Sequence, residues 1–214
     1  MKIALIGATG YVGTPLLQEL LQRGHQVTVL ARQPEKLQAQ AGLTVVKADV
    51  YDAAQVAQSV AGHDAVISAF NPGWAEAELY NQFLQGSRAI LAGIKQAGVR
   101  RVLIVGGAGS LYVAPGVQFI DTDAFPAEYK AGASAAREVL RWLPAETGLD
   151  WSFVSPPPLL VPGERSGNYR LGGDDMWPMV NGQPASITTA DLAVAMVDEI
   201  EQARHLQRRF TVAA

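Results

Sequence analysis

The fold follows from the stretch Gly7-Ala8-Thr9-Gly10-Tyr11-Val12-Gly13, which lies directly between the apolar run Ile3-Ala4-Leu5-Ile6 and a helical pattern. A buried strand, a tight glycine turn and a helix start together form a pocket for a diphosphate. Gly7 allows a sharp turn, Gly10 lets backbone N–H groups approach the phosphates, and Gly13 lets the helix pack close to the sheet. The helix N-terminus adds N–H donors and partial positive charge. This arrangement predicts dinucleotide binding.

Length and composition set the class of protein. The 214 residues are 49% hydrophobic and 17% charged, as expected for a single globular domain spanning residues 1–214. The net charge of −3 does not indicate binding to nucleic acid or to an anionic membrane. The absence of cysteine excludes thiolate nucleophiles and zinc–sulfur sites. No apolar run approaches the ~20 residues of a membrane helix, and a strand beginning at Lys2 leaves no room for a signal peptide, so we expect a cytoplasmic location.

Strand and helix patterns alternate along the chain, with at least six strands. This predicts an α/β fold, a Rossmann-type doubly wound parallel sheet flanked by helices, with a small C-terminal insertion on the substrate side. We expect the substrate side to be built from about residues 70–77, 110–128 and 155–186. A short helix is expected over Pro34 to Gln40, and an edge strand over Arg209 to Val212.

Arg32 follows the second predicted strand, where this fold places the adenosine ribose. An acid there favours NAD, whereas an arginine accommodates the 2′-phosphate of NADP. No acid occurs between Gly24 and Pro34, so NADP(H) is favoured over NAD(H), although a solvated loop arginine is the alternative. After the third strand, Asp49 and Val50 are candidates to bind and pack on adenine, but Asp49 could equally cap the helix that begins near Asp52.

The carboxyl ends of the other parallel strands line the predicted crevice. Further cofactor-binding candidates there are Ser68, Ala69, Phe70, Gly106, Gly107, Ala108, Ser155 and Pro156. The small residues of the second glycine-rich turn leave space for a nicotinamide ribose. Trp74 and a flap at 176–179, with Met176 and Trp177, are candidates for substrate contact, although Trp74 could simply pack.

The three histidines are scattered, so no metal site is expected, and no Gly-x-Ser-x-Gly elbow is present.

Several of these motifs carry a resemblance to a known family: the Gly7–Gly13 turn, Arg32, Asp49-Val50 and Gly106-Gly107-Ala108. The chain resembles the atypical short-chain dehydrogenases/reductases, and more closely the NADH-flavin reductase family related to NmrA-like and biliverdin-reductase-B-like proteins. The later matching segments are Gly106 to Leu111, Phe125 to Lys130, Ser155-Pro156-Pro157, Pro162 to Arg165 and Tyr169 to Asp174. The resemblance implies an NAD(P)-binding Rossmann fold and reductase activity.

The chain departs from that superfamily at the Tyr-x-x-x-Lys pair, which ordinary members use to protonate a substrate oxygen. Tyr129 is followed four residues later by Ala133, and Tyr112 by Gly116. If the later helix is registered on Arg137-Glu138, Lys130 and Ser134 fall where the pair is expected. The usual acid for carbonyl–alcohol chemistry is therefore absent.

Hydride transfer to a flavin does not require that acid, since positioning supplies much of the rate. The sequence therefore predicts NADPH-dependent reduction of a flavin or similar conjugated acceptor, with flavin a substrate and not a bound prosthetic group. Ser110, Lys130 and Tyr129 are the polar groups expected near the reacting ring; a turn residue and a solvated lysine are the alternatives for the first two. A non-catalytic NADP(H) sensor of NmrA-like type is the alternative function. The expected partner is a small-molecule acceptor, and the expected state a monomer or weak homodimer.

Overall fold

A computed structural model describes all residues from 1 to 214. Twelve strands are formed: β1 (Lys2–Ile6), β2 (Gln26–Ala31), β3 (Leu43–Lys47), β4 (Ala65–Ser68), β5 (Arg101–Val105), β6 (Tyr112–Ala114), β7 (Val117–Gln118), β8 (Asp150–Ser155), β9 (Leu159–Val161), β10 (Arg170–Gly172), β11 (Ser186–Thr188) and β12 (Arg208–Ala213). The five α-helices are α1 (Gly13–Gln22), α2 (Ala53–Val60), α3 (Leu79–Gln96), α4 (Lys130–Trp142) and α5 (Thr189–Gln202).

The central sheet has eight strands in the order β10-β12-β8-β5-β4-β1-β2-β3. All neighbours are parallel except β10 and β12, which pair antiparallel. The predicted doubly wound α/β fold is confirmed. The prediction that Arg209 to Val212 forms an edge strand is wrong, because β10 covers the outer side of β12. That covering strand comes from the insertion after β8, and its contribution could not be judged from the sequence of β12.

Helices cover both faces of the sheet and give the protein two apolar cores. On one face, α1 and α5 pack through residues such as Leu16, Leu20 and Met196. On the other, α2 and α3 contribute Val56, Ile90 and others. Strand β1 is buried from Ile3 to Ile6, as expected for a strand covered on both sides. No helix in the protein has the length and apolar character needed to span a membrane.

Local capping chemistry sets several helix starts. Asp52 caps α2 by accepting hydrogen bonds from the Ala54 and Gln55 N–H groups at 2.9 and 3.3 Å. Thr188 caps α5 by accepting from the Asp191 N–H at 3.0 Å. The expected helix over Pro34 to Gln40 is only a single 3₁₀ turn, Pro34–Lys36. Pro34 stands at its first position, where its fixed φ suits a helix start, but three residues nucleate no stable helix.

Candidate cofactor and acceptor site

The turn after β1 leaves no room for side chains at two of its glycines. Gly7 has a φ of +84°, and a Cβ there would lie 2.3 Å from the Ala69 carbonyl oxygen. A Cβ at Gly13 would lie 1.9 Å from the Gly7 carbonyl oxygen. The Gly10 N–H donates to the same oxygen at 3.0 Å and closes the turn, while Gly10 itself stays exposed. The backbone therefore forms a narrow cradle with an open tip.

The backbone N–H groups of Tyr11, Val12 and Gly13, where the turn enters α1, have no hydrogen-bond partner, whereas the Thr14 N–H donates to the Gly10 carbonyl at 3.0 Å. No side chain caps the helix at Val12, and no acid lies in its first turn. The first N–H groups of a helix have no partner inside the helix, and they carry partial positive charge. With no carboxylate competing for them, an anionic diphosphate fits this position. The glycine cradle and the uncapped helix start thus both suit the group that the sequence predicts.

The ends of β2 and β3 carry the residues predicted to bind the adenosine half. Arg32 directly follows β2, is exposed and forms no hydrogen bond or ion pair. Asp49 is also exposed, but Oδ1 accepts a hydrogen bond from the Tyr51 N–H at 3.0 Å. The alternative that Asp49 caps α2 is wrong, since Asp52 occupies that position. Val50 is buried with the core under α2, so its role against adenine stays a prediction.

The end of β4 is filled by an aromatic side chain. Ser68 is buried and Phe70 is half-buried. The Phe70 ring packs edge-on against Tyr51, with ring centroids 5.8 Å apart. The same ring fills the space beside Gly86 of α3, where an added Cβ would lie 2.4 Å from Phe70 Cζ. Phe70 therefore forms a wall between β4 and α3, and Ala69 contacts Gly7 through its carbonyl group.

The second glycine turn, after β5, has one closed and one open position. A Cβ on Gly106 would lie 2.0 Å from the Phe153 ring, so this glycine is needed for packing. At Gly107 nothing lies within 4 Å of an added Cβ. The turn then continues through Ala108 into a short 3₁₀ segment ending at Ser110. The space that the sequence predicts beside these small residues is therefore present at Gly107.

Ser155, the last residue of β8, carries a buried hydroxyl without a partner. The residue is fully buried and its Oγ has no hydrogen-bond partner, while its carbonyl accepts from Thr211 at 2.7 Å. Alternation along β8 puts Ser155 on the same sheet face as Phe153, whose ring meets Gly106. Pro156, the next residue, is also buried. A buried hydroxyl without a partner costs about 1–3 kcal/mol. Because this oxygen is closed off from solvent, the role of Ser155 toward the cofactor stays a prediction.

The three predicted catalytic residues are divided between interior and surface. Ser110 is buried, and its Oγ and carbonyl oxygen accept hydrogen bonds from Arg209 at 3.1 and 2.6 Å. Lys130 begins α4, is exposed and has no partner. Tyr129 is half exposed and meets Trp74 edge to face, with ring centroids 5.3 Å apart. The structure thus brings Tyr129 and Trp74 together, and it engages Ser110 elsewhere.

The other predicted substrate contacts, Met176 and Trp177, pack against β6 and β10. Met176 donates its N–H to the Tyr112 carbonyl at 2.8 Å. The Trp177 ring lies against Gly172 of β10, with Arg170 stacked above it at 4.5 Å. The segment therefore rests on the sheet edge in this structure, and the expectation of a flap over the crevice stays a prediction.

Sequence reasoning missed an arginine that organises the acceptor side. Arg209 of β12 is buried, and besides Ser110 it binds the Asp174 carboxylate at 2.7 Å and the Asp174 carbonyl at 3.1 Å. It joins the turn after β5 to the loop after β10. An arginine directly before the largely apolar run Phe210 to Ala213 is a weak signal of a buried pair, but its partners lie 99 and 35 residues away.

The polar groups outside this edge are engaged with one another. His63 bonds Thr28 at 2.8 Å, His205 bonds Glu199 at 2.7 Å, and His25 bonds Glu201 at 2.9 Å. No group of three or more His, Asp or Glu side chains is arranged to hold a metal ion. Open α/β sheets bind ligands at the carboxyl ends of their parallel strands, and the glycine cradle of this protein lies at that side.

The parallel sheet and its glycine cradle define a Rossmann-type nucleotide-binding protein. The chain belongs to the NAD(P)H-binding family, whose sequence profile matches residues 7–203. It is therefore an NAD(P)H-binding protein of oxidoreductase-like type.

Relatives in three bacteria share the whole length of the chain. The uncharacterised protein YwnB of Bacillus subtilis is 38% identical over 99% of this chain and 98% of its own. A Bacteroides thetaiotaomicron structure, provisionally assigned as an epimerase, is 44% identical over 99% of this chain and 96% of its own, with a TM-score of 0.91. A Streptococcus pneumoniae structure, provisionally assigned as an NADH-flavin reductase, is 33% identical over 100% and 99%, with a TM-score of 0.83.

Proposed function

We propose that this protein is an NADPH-dependent reductase of a flavin or another flat, conjugated acceptor, with the flavin as a substrate. The observation that carries the proposal is the open space at Gly107, at the carboxyl end of β5, together with the exposed Trp74–Tyr129 pair and the absence of a Tyr-x-x-x-Lys pair. A similar assignment has been made provisionally for the Streptococcus pneumoniae relative. A site with this composition suits an acceptor that takes hydride without a proton from a tyrosine.

The cofactor residues follow from the cradle outward. Gly7, Ala8, Thr9, Gly10, Tyr11, Val12 and Gly13 would hold the diphosphate, and Arg32 the 2′-phosphate of the adenosine ribose. Asp49 and Val50 would lie at adenine. Ser68, Ala69, Phe70, Gly106, Gly107 and Ala108 would line the crevice, with Ser155 and Pro156 closing it. When bound, the cofactor supplies a hydride.

The acceptor side relies on shape and apolar contact. The rings of Trp74 and Tyr129 are about half exposed, and exposed aromatic surface favours stacking with a flat ring. Lys130, exposed and unpaired beside Tyr129, would interact with negative charge on the acceptor. Ser110 is already engaged by Arg209, so we assign it to shaping the turn beside the cofactor and give less weight to direct contact.

The proposal is tested by NADPH oxidation with a panel of FMN, riboflavin, quinones and azo dyes. Turnover with at least one flat acceptor is expected, and Trp74→Ala should raise KM for that acceptor by about tenfold, as for lost stacking of about 1–1.5 kcal/mol. Tyr80→Ala is the matched control, because Tyr80 is an exposed aromatic on α3. The absence of turnover across the whole panel would reject the proposal.

A second candidate function is a non-catalytic NADP(H) sensor. It is favoured by the engagement of Ser110 with Arg209 and by the missing tyrosine–lysine pair, which together leave no acid of the usual kind at the site. Calorimetry with NADP⁺ and NADPH separates the two functions. A sensor binds both forms with comparable affinity and turns over no acceptor.

A further inference from the structure

The segment 164–169, here called the latch segment, crosses between β9 and β10 in the insertion that follows β8. Three carboxylates of the two helices α1 and α5 hold it. Glu19 binds Arg165, Asp191 binds Ser166 and Gly167, and Asp198 accepts a short hydrogen bond from the Tyr169 hydroxyl. The latch segment has no helix or strand of its own, so side chains of other elements determine its position.

The contact between Glu19 and Arg165 has the geometry of a two-point ion pair. Arg165 Nε donates to Glu19 Oε2 at 2.7 Å, and Arg165 Nη2 donates to Glu19 Oε1 at 2.9 Å. The Glu19 side chain is only 4% exposed, and Arg23 provides a second cation at 2.7 Å. The hydrogen bonds from Arg165 are the main reason that the pKa of Glu19 lies below its usual range. Bidentate arginine–carboxylate pairs fix orientation as well as distance.

The latch segment is anchored again at its far end through the same arginine. Arg23 Nη1 binds Asp198 Oδ1 at 2.6 Å, and Asp198 receives the Tyr169 hydroxyl. In between, Asp191 accepts from the Ser166 and Gly167 N–H groups at 2.8 and 2.7 Å. The Asp191 carboxylate therefore holds the middle of the latch segment.

The strand that precedes the latch segment touches the cofactor turn. The Tyr11 hydroxyl donates to the Leu160 carbonyl at 3.1 Å, which places β9 beside the glycine cradle. Leu159 and Val161, the neighbours of Leu160, are exposed by 39 and 41%. They present apolar surface at the place where the insertion meets the cofactor site. Any shift of the latch segment relative to α1 would move this surface, since only a few residues separate Val161 from Arg165.

We propose that Arg165 is a positioning residue: through Glu19 it ties β9 to the helix that binds the cofactor, and so sets the wall of the acceptor side. The inference rests on the proposed function for its kinetic consequence. Arg165 does not reach the reacting atoms itself. Its loss leaves Glu19 paired with Arg23, so no unpaired buried charge arises and the variant is expected to fold.

The kinetic test compares Arg165→Ala with Arg165→Lys and with the control Arg100→Ala. Arg100 also forms a two-point pair, with Asp150 at 3.1 Å, but at the amino ends of β5 and β8. Arg165→Ala should raise KM for the acceptor by about tenfold, the equivalent of one charged hydrogen bond. The kcat value and the affinity for NADPH should change by less than about twofold, and Arg165→Lys should restore part of the loss.

Two kinetic results would overturn the proposal. In one, Arg165→Ala and Arg100→Ala behave alike, which would give Arg165 only a general stabilising role. In the other, KM for the acceptor and the dissociation constant for NADPH rise together, which would mean that the whole site is disturbed.

Hydrogen exchange provides a readout that does not depend on turnover. Arg165→Ala should speed amide exchange in β9, whereas Arg100→Ala should leave it unchanged. Unchanged exchange in β9 would reject the positioning role. Faster exchange in β9 together with no turnover of any acceptor by the unsubstituted protein would support the positioning role and reject the proposed function, so the two failures are distinguishable.

Discussion

Polar side chains at the amino ends of the parallel strands are paired with one another, whereas several at the carboxyl ends are not. At the amino ends of β5 and β8, Arg101 donates to Ser152 Oγ at 2.8 Å and to Glu199 Oε1 at 2.8 Å. Glu199 also accepts from Ser152 and from His205, at 2.9 and 2.7 Å. Nearly all of these groups satisfy one another inside the protein. The contacts at the amino ends of the strands therefore stabilise the fold.

At the carboxyl ends, charged side chains are left available to a ligand. Arg32 and Lys130 are exposed and form no ion pair. The backbone there is shaped by glycines whose Cβ positions are already occupied, as at Gly13. The sheet thus carries a buried ion-pair network at the amino ends of its strands and its candidate ligand-binding groups at the carboxyl ends. Four substitutions or conditions test this separation.

The largest expected effect is on stability, from Glu199→Ala at the amino edge. Removing one partner of a buried ion pair leaves Arg101 unpaired and should lower the free energy of unfolding by about 3–5 kcal/mol. Urea denaturation measures this loss, and calorimetry should show unchanged NADPH affinity. Glu35→Ala is the control, because Glu35 is exposed and unpaired. A large loss of NADPH affinity in Glu199→Ala would contradict the separation of the two edges.

Gly13→Ala should disturb both properties, since the added Cβ meets backbone at 1.9 Å. Overpacking of this kind costs about 3 kcal/mol at its upper end, and the displaced turn should lose NADPH binding in calorimetry. Gly148→Ala is the matched control, because nothing lies within 4 Å of its Cβ position. Retention of full NADPH affinity in Gly13→Ala would show that the cradle is not the diphosphate site.

Arg32→Ala should affect binding alone. The loss of charged hydrogen bonds to the 2′-phosphate should weaken NADPH by about 1.5–3 kcal/mol and leave NADH nearly unchanged. Lys36→Ala provides a control cation in the following 3₁₀ turn. Calorimetry with both cofactors measures the difference, and equal weakening of NADPH and NADH would refute the assignment of Arg32 to the phosphate.

The smallest expected effect is a loss of stability in acid. The pKa of Glu19 is lowered by Arg165 and that of Asp191 by the N–H groups of the latch segment, against the opposing effect of burial. Carboxyls with lowered pKa in the folded state contribute stability above their unfolded pKa values, about 3.9–4.3, and lose it as pH falls further. Urea unfolding from pH 6 to about pH 3 should show this decline.

Arg165→Ala tests how much of this acid-induced loss of stability comes from Glu19. Without Arg165, the folded pKa of Glu19 rises toward its unfolded value, so Glu19 contributes less stability and the part of the decline that belongs to it becomes smaller. Arg141→Ala is the control, because Arg141 pairs with Glu138 on the surface of α4. An identical decline in the unsubstituted protein and Arg165→Ala would exclude Glu19 as a source of the pH dependence.

Local sequence was sufficient to predict the turn that follows β1. The close contact at Gly13 is with Gly7, six residues earlier, and a strand, turn and helix in direct succession can pack in few ways. Arg32 could be placed for the same reason, as it follows β2 directly. The contact at Gly7 is with Ala69, which only the pairing of β1 with β4 brings close. The position of Asp49 was less certain, because Asp49 and Asp52 lie three residues apart and either could have capped α2.

The surroundings of the acceptor-site candidates could not be predicted from the sequence, because their contacts join distant segments. Ser110 was a candidate beside the reacting ring, but Arg209, 99 residues later, holds it in the interior. Trp177 was a candidate for the flap, but Gly172 leaves a place for its ring on β10. Neither partner has a spacing that a sequence pattern can show.

The α/β fold, the turn after β1 and the position of Arg32 directly after β2 could be predicted from the sequence, because they depend on neighbours along the chain and on the periodicity of buried strands and helices. The tertiary structure was needed to show that β10 covers β12, that Arg209 reaches Ser110, and that Arg165 pairs with Glu19 across 146 residues. Each of these contacts joins segments that are distant along the chain. Their energy comes from burial and charge pairing between segments whose separation along the chain carries no pattern.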